Sequence, residues 1–271
     1  MPVEITSRQN PVVRALRELA RDRDGDRVLL DGPHLLEEAL TAGIELESVV
    51  ASQSFAAAHG TLLERLEHAA NVYLTRDDVL EAASPVRTPG GIVAIAVVPD
   101  GTIRAAFAQS EPGAAYQPAM AVALVDVQDP GNAGAVVRSA EAAGGTGVVA
   151  CGSTADLRGW TALRASMGSA FRVPIAHATL DQLFSDAKVA GVRVIASTVD
   201  EASADMRDIR WNEPFVLLVG NEGRGLAHDV AARAELRVRI PMYGRVQSMN
   251  AAVSAAVILY EAQRQRSHVA L

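Results

Sequence analysis

Short continuous apolar runs and helically spaced apolar positions alternate along the whole chain. Over residues 10–22, Val12, Val13, Leu16, Leu19 and Ala20 keep helical spacing, Asn10 stands where an N-cap belongs and Pro11 takes the first helical position, so a helix is predicted. Strands are predicted over 27–30, 49–51 and 72–74, with a β-rich run over 91–98. Helices are predicted over 33–42, 62–69 and 77–83. These elements make a small α/β sandwich that ends near Val98. Residues 99–118 carry Pro99, Gly101, Pro112, Gly113 and Pro118 with little periodicity outside 103–108, and they read as a linker.

A new apolar run over 119–127 is typical of a strand buried on both faces. Asp129-Pro130-Gly131-Asn132 then opens a helix that runs through Ala143 and stops at Gly144-Gly145. Strands over 148–151, near 172–175, and over 192–197, 215–219 and 236–240 alternate with helices at 160–167, 180–190 and from Ser248 onward. Strict alternation predicts a mainly parallel sheet with helices on both faces. The expected organisation is therefore two α/β domains, 1–98 and 119–271, joined by 99–118. Two strand ends spill into loops free of bulky side chains, Gly220-Asn221-Glu222-Gly223-Arg224-Gly225 and Pro241-Met242-Tyr243-Gly244. Gly220, Gly223, Gly225 and Gly244 permit positive φ and close backbone approach, which suits a small ligand gripped by backbone at the carboxyl ends of parallel strands. Ordinary βα turns also favour glycine.

Composition narrows the class. The 271 residues are 49% hydrophobic and 21% charged, enough to bury a sizeable core. Cys151 is the sole cysteine, which excludes a disulfide framework and a thiolate metal cluster. No apolar run reaches about 18 residues and the first residues lack an apolar signal core, so neither membrane spanning nor secretion is suggested and a reducing cytoplasm is expected. The histidines show no ligand spacing, and no metal is expected. Net charge is −7, against a generally basic nucleic-acid binder. Arg14, Arg17 and Arg21 share one face of the first helix, and read either as a solvated face or as a polynucleotide-facing one.

Three clusters carry candidate chemistry. Asn132-x-Gly134-x-x-x-Arg138 places a possible N-cap and an arginine on a helix otherwise made largely of Ala and Val; such an arginine is either an edge residue with its head in water or aimed at an anion. Gly220-Asn221-Glu222-Gly223-x-Gly225-Leu226 matches neither a dinucleotide fingerprint nor a phosphate loop, and Glu222 at a strand mouth suits a cationic or hydroxyl-bearing ligand. In Ile240-Pro241-Met242-x-Gly244-x-x-x-Ser248-Met249-Asn250, capping explains Ser248 or Asn250 more easily than both.

Taken together, DPGNAGAVVRSAEAAG, FVLLVGNEGRGL and IPMYGRVQSMNAAVSAAVILYE resemble, in order and spacing, the three motifs of the SpoU (TrmH-like) family of RNA ribose 2′-O-methyltransferases in the SPOUT superfamily, over residues 119 to about 264. The N-terminal stretch ITSRQNPVVRALRELARDRDGDRVLLDGPHLLEEAL is similar to the substrate-binding domain often fused ahead of these enzymes, a ribosomal-protein-like α/β fold. Asp31 stands where glutamate is commoner and Met249 where leucine is commoner, and neither disturbs the match. The resemblance implies a trefoil-knotted methyltransferase domain and a homodimer with active sites beside its interface. It implies S-adenosyl-L-methionine held by Gly220, Ile240 and Met249 with help from Thr198 and Ser248. It implies a catalytic surround of Asn132, Arg138, Glu222, Ser248 and Asn250. A guanidinium titrates above about 12, so electrostatic positioning ranks ahead of general-base action for Arg138.

The expected partner is RNA, ribosomal RNA before transfer RNA because of the N-terminal extension. A local patch of Arg8, Arg14, Arg17, Arg138, Arg172 and Arg245 is expected to offset the net negative charge. The rivals are a SPOUT enzyme acting on a base, a catalytically silent RNA-binding SPOUT protein, and an ordinary α/β nucleotide-binding enzyme.

Overall fold

The fold is taken from a computed structural model that describes residues 2–108 and 117–269. The chain forms two compact units, Met1–Pro99 with Arg158–Phe171, and Asp100–Leu157 with Arg172–Leu271.

The first unit runs β1 (Val3–Ile5), α1 (Pro11–Arg21), β2 (Arg27–Asp31), α2 (Pro33–Thr41), β3 (Glu45–Ser52), α3 (Gln53–Ala58), α4 (Gly60–Ala69), β4 (Asn71–Thr75), α5 (Asp77–Ala83) and β5 (Ile92–Val97). Its sheet has the order β1-β4-β3-β5-β2, with β5 antiparallel to both neighbours and the other pairs parallel. The Asn10 side chain accepts from the Val12 N–H at 2.9 Å, as an N-cap should, and α1 buries Val13, Leu16 and Leu19 against this core. Of its arginines, Arg17 donates to the Ala82 carbonyl at 2.6 Å, while Arg14 and Arg21 remain exposed.

The second unit begins with α6 (Ile103–Ala106), β6 (Met120–Val125), α7 (Pro130–Ala142) and β7 (Gly147–Cys151). Residues 158–171, including α8 (Trp160–Ser166), then belong to the first unit, where Trp160 packs on the core under α1. The second unit resumes with β8 (Ile175–Ala178), α9 (Leu180–Ala190), β9 (Arg193–Thr198), β10 (Ala204–Asp205), β11 (Phe215–Val219), α10 (His228–Arg233), β12 (Leu236–Arg239) and α11 (Ala251–Val269). All seven strands are parallel, in the order β10-β12-β9-β11-β6-β7-β8. The late strand β11 lies between β6 and β9, and β12 lies between β9 and β10. Every residue of β6, β7 and β11 is buried, which is why these strands read as unbroken apolar runs.

Several expected boundaries shift: the strand expected near 172–175 lies at Ile175–Ala178, and residues 158–171 leave the second domain for the first unit. The front of the proposed linker is ordered within the second unit: Thr102 caps α6, and Ile103, Ala106 and Phe107 are buried. The packing there is tight enough that a Cβ on Gly147 would lie 2.3 Å from Ala106 Cα. Residues 109–116 of that stretch lie outside the described residues. The last helix starts at Ala251 and not at Ser248, because the Asn250 side chain accepts from the N–H groups of Ala252 (2.9 Å) and Val253 (3.3 Å). Such a cap is worth about 1 kcal/mol. At its far end, Arg266 donates to the carbonyls of Pro118 (2.7 Å), Ala119 (3.2 Å), Trp211 (2.9 Å) and Glu213 (3.0 Å), which fastens α11 beside the starts of β6 and β11.

Candidate active site

Because the sheet of the second unit is wholly parallel, the C-terminal ends of β6, β9, β11 and β12 open on one edge, where α/β sheets bind ligands. A cavity of about 440 Å³ lies there. All five residues expected to hold the cofactor, Thr198, Gly220, Ile240, Ser248 and Met249, line it, as does Glu222.

The loop after β11 owes its shape to two glycines and one asparagine. Asn221 Oδ1 accepts from the N–H groups of Gly223 (3.0 Å) and Arg224 (3.1 Å), and the Gly225 N–H donates to the Asn221 carbonyl at 2.9 Å. Gly225 closes the turn at φ +66°. Gly220 is required for a different reason: a Cβ there would lie 2.3 Å from the Leu226 nitrogen. Gly223 and Gly244 have room for a side chain and no positive φ, so the conformational argument from sequence holds at neither. The Asn221 amide donates to the Asp126 carbonyl at 3.0 Å, joining the loop to the end of β6. Asp126 adopts φ 56°, a left-handed backbone uncommon outside glycine, and its carboxylate accepts from the N–H (2.7 Å) and hydroxyl (2.9 Å) of Ser153. Sequence reasoning passed over both Asn221 and Asp126. An Asn one residue into a glycine loop is a recognisable turn signal, whereas nothing local marks Asp126.

Three expected catalytic residues meet through a hydrogen-bond chain. Asn250 Nδ2 donates to Asn132 Oδ1 at 2.8 Å, and Asn132 Nδ2 donates to Glu222 Oε1 at 3.1 Å. Asn132 is not the N-cap of α7. Asp129 is, accepting from the Asn132 N–H at 2.7 Å, and this leaves the Asn132 amide free to bridge. Asn250 does both jobs at once, capping α11 with its oxygen and reaching Asn132 with its nitrogen. Burial opposes charge on Glu222, but its own backbone N–H, the Asn132 amide and the N–H groups of Asp129 and Gln128 outweigh that, and its pKa lies below the usual value. Glu222 is thus an anionic clamp between the loop after β11 and the start of α7, where the helix dipole also favours a carboxylate. Ser248 lies on the cavity wall, exposed.

Arg138 stands apart. It is exposed on α7, does not line the cavity, and has no hydrogen bond or ion pair among the described residues. Of the other arginines expected in a patch, Arg8 pairs with Asp78 at 3.4 Å and Arg172 is committed to Glu141, so neither is a free cation. Cys151 is buried at the end of β7, where desolvation and the nearby Asp126 push its thiol up to about 12, so it is no nucleophile. Among the described residues no group of His, Cys, Asp and Glu is arranged to hold a metal ion, and no helix is long and apolar enough to cross a membrane.

Comparison with known proteins agrees with this geometry. Residues 119–260 match the SpoU rRNA Methylase family, and residues 10–94 match the MRM3-like substrate binding domain. The 23S rRNA (guanosine(2553)-2′-O)-methyltransferase RlmP of Bacillus subtilis (strain 168) is 31% identical over 262 residues, covering 95% of this chain and 98% of that one. The tRNA (guanosine(18)-2′-O)-methyltransferase of Escherichia coli (strain K12) is 33% identical, but over only 57% of this chain and 67% of its own. An AdoMet-bound rRNA methyltransferase from Sinorhizobium meliloti superposes with a TM-score of 0.82 at 31% identity, covering 96% of this chain and 97% of that one. With a family match over more than half its length and a relative similar from end to end, the chain belongs to the SpoU rRNA methylase family.

Proposed function

We propose that this protein transfers a methyl group from S-adenosyl-L-methionine to a ribose 2′-hydroxyl of ribosomal RNA, working as a cytoplasmic, trefoil-knotted homodimer. The observation that carries the reading is the join between cavity and cluster: Glu222 lines the cavity and is also the anchor of the Asn132–Asn250 chain. The cavity fits the cofactor. Its volume falls within the usual range for small-ligand sites, and a side chain at Gly220 would collide with the backbone at Gly225 and Leu226 in the loop that walls it. Gly220, Ile240 and Met249, all on the cavity wall, would hold the cofactor largely through backbone and apolar contact, with the Thr198 and Ser248 hydroxyls available to assist. When bound, S-adenosylmethionine supplies an electrophilic methyl group.

The chain's own residues do the rest. A ribose hydroxyl is a poor nucleophile and loses its proton to solvent as it attacks. Arg138, without a hydrogen bond or ion pair among the described residues, stabilises the developing alkoxide and the neighbouring phosphate. The amides of Asn132 and Asn250 orient the hydroxyl without adding charge near a sulfonium, and the ionised Glu222 keeps both amides in place. Because Arg138 lies outside the cavity of its own protomer, it serves the cavity of the other. Val253 and Tyr260 are 47% and 54% exposed on one face of α11, an unusual pair of large apolar side chains for a solvated helix, and α7 lies alongside. That face and α7 form the two-fold interface. Residues 1–98 supply RNA affinity. Ribosomal RNA is preferred because similarity to the rRNA enzyme spans both units, whereas similarity to the tRNA enzyme covers about half the chain.

Calorimetry tests the cofactor assignment. S-adenosylhomocysteine should bind the full-length protein and raise its melting temperature, while NAD and ATP should not. Binding of NAD or ATP with no response to S-adenosylhomocysteine would overturn the reading in favour of an ordinary nucleotide enzyme.

A further inference from the structure

The loop between β12 and α11 presents Tyr243, 84% exposed, one residue after Met242 on the cavity wall. A tyrosine this exposed is normally free to rotate, but this one is tethered. Arg207 Nη1 donates to its hydroxyl at 2.7 Å. Arg207 is itself held in a two-point grip by Asp205, with Nη2 at 2.6 Å and Nε at 2.9 Å from the two carboxylate oxygens. The pairing is tight enough to hold the Asp205 carboxyl down at about 2. Asp205 sits on β10, which is hydrogen-bonded to β12, so the tether is anchored in the sheet. Arg207 Cζ is 6.0 Å from the ring centroid. That is the outer limit of a cation–π contact, and with the short bond to the hydroxyl it puts the guanidinium beyond the hydroxyl end of the ring. At 84% exposure the tyrosine remains largely open to solvent.

Two further arginines lie on the loops that border the cavity. Arg245 is two residues on, and Arg224 lines the cavity; neither side chain has a hydrogen bond or ion pair among the described residues. A positioned, exposed aromatic ring, with unpaired arginines on the loops that border the same cavity, is an arrangement by which proteins hold unstacked RNA, the ring taking a base and the cations its phosphates. It also gives a chain of net charge −7 a local means of holding a polyanion.

We infer that Tyr243, positioned by Arg207 and Asp205, is a stacking platform for a nucleobase adjoining the methylated ribose, with Arg224 and Arg245 on the flanking phosphates. The inference deepens the methyltransferase reading and rests on it.

The test uses the full-length protein saturated with S-adenosylhomocysteine and a short single-stranded RNA carrying 2-aminopurine, whose fluorescence falls on stacking. Tyr243→Ala should weaken RNA binding about tenfold, within the range of one lost stacking contact, and abolish the quench, whereas Tyr243→Trp should keep both. With unmodified 23S rRNA as substrate, Tyr243→Ala should raise KM by a similar factor and leave kcat and S-adenosylhomocysteine affinity within about twofold. RNA binding by Tyr243→Ala equal to wild type overturns the inference. So does a parallel loss of S-adenosylhomocysteine affinity, which would make Tyr243 a prop for the cavity wall. A wild-type protein that methylates no RNA overturns the enzymatic reading instead, and the fluorescence arm still decides the stacking.

Discussion

Replacing Arg138 with alanine should remove methyl transfer and leave the cofactor site intact. Loss of a single group that stabilises charge in a transition state typically lowers kcat by about 10²–10³. Arg138 is exposed and makes no hydrogen bond or ion pair among the described residues, so stability and S-adenosylhomocysteine affinity should stay within about twofold of wild type. In the proposed dimer the arginine completes the partner's site, and this has a consequence no single-chain site shares. A mixed dimer of Arg138→Ala and Asn250→Ala, isolated with two different tags, carries one site with both defects and one with neither. Its activity should return to roughly half of wild type. A mixed dimer as inactive as its parents would mean that each site is built from one chain, and a monomer by light scattering would remove the dimer altogether.

Gly220→Ala should be nearly as damaging by a different route. The added methyl would lie 2.3 Å from the Leu226 nitrogen and 2.4 Å from the Gly225 carbonyl carbon, both backbone atoms. Backbone cannot rotate aside as a side-chain tip can, so the loop must shift. Displacing binding groups by about 1 Å can cost on the order of 10²-fold, and S-adenosylhomocysteine affinity should fall by about that factor. Overpacking of this kind costs about 1–3 kcal/mol, so the melting temperature should also drop by several degrees. Gly244→Ala is the control. Nothing lies within 4 Å of a Cβ at that position, and cofactor affinity should change by less than about twofold. Equal losses at both positions would show that the close approach at Gly220 is not what shapes the site.

What could be read from the sequence divides along physical lines. The strand Phe215–Val219 and the helix Leu180–Ala190 were legible to the residue, because each is a full apolar run or a capped, helically periodic segment with Gly191 after it. The elements missed were short: β1 and β10 have three and two residues, too few to show a period, and α3 and α10 have six each. The detour of residues 158–171 into the first unit left no local trace, since it depends on Trp160 finding a core formed by residues far away in sequence. The candidate site follows the same division. Glycines and strand ends pointed to the cavity, but only the fold brings Asn132, Glu222 and Asn250 together, across sequence separations of 90 and 118 residues. Capping and chemistry looked like competing explanations of Asn250, yet one atom of its amide caps α11 while the other is left to reach Asn132.

The central claim is transfer of a methyl group to a ribose hydroxyl in ribosomal RNA. The most direct test is a map of 2′-O-methyl positions across 23S rRNA and tRNA from cells with and without this gene. The account predicts that one mark in 23S rRNA disappears on deletion, returns with the wild-type gene and does not return with Arg138→Ala. An unchanged ribosomal map, or a lost mark confined to tRNA, would contradict it.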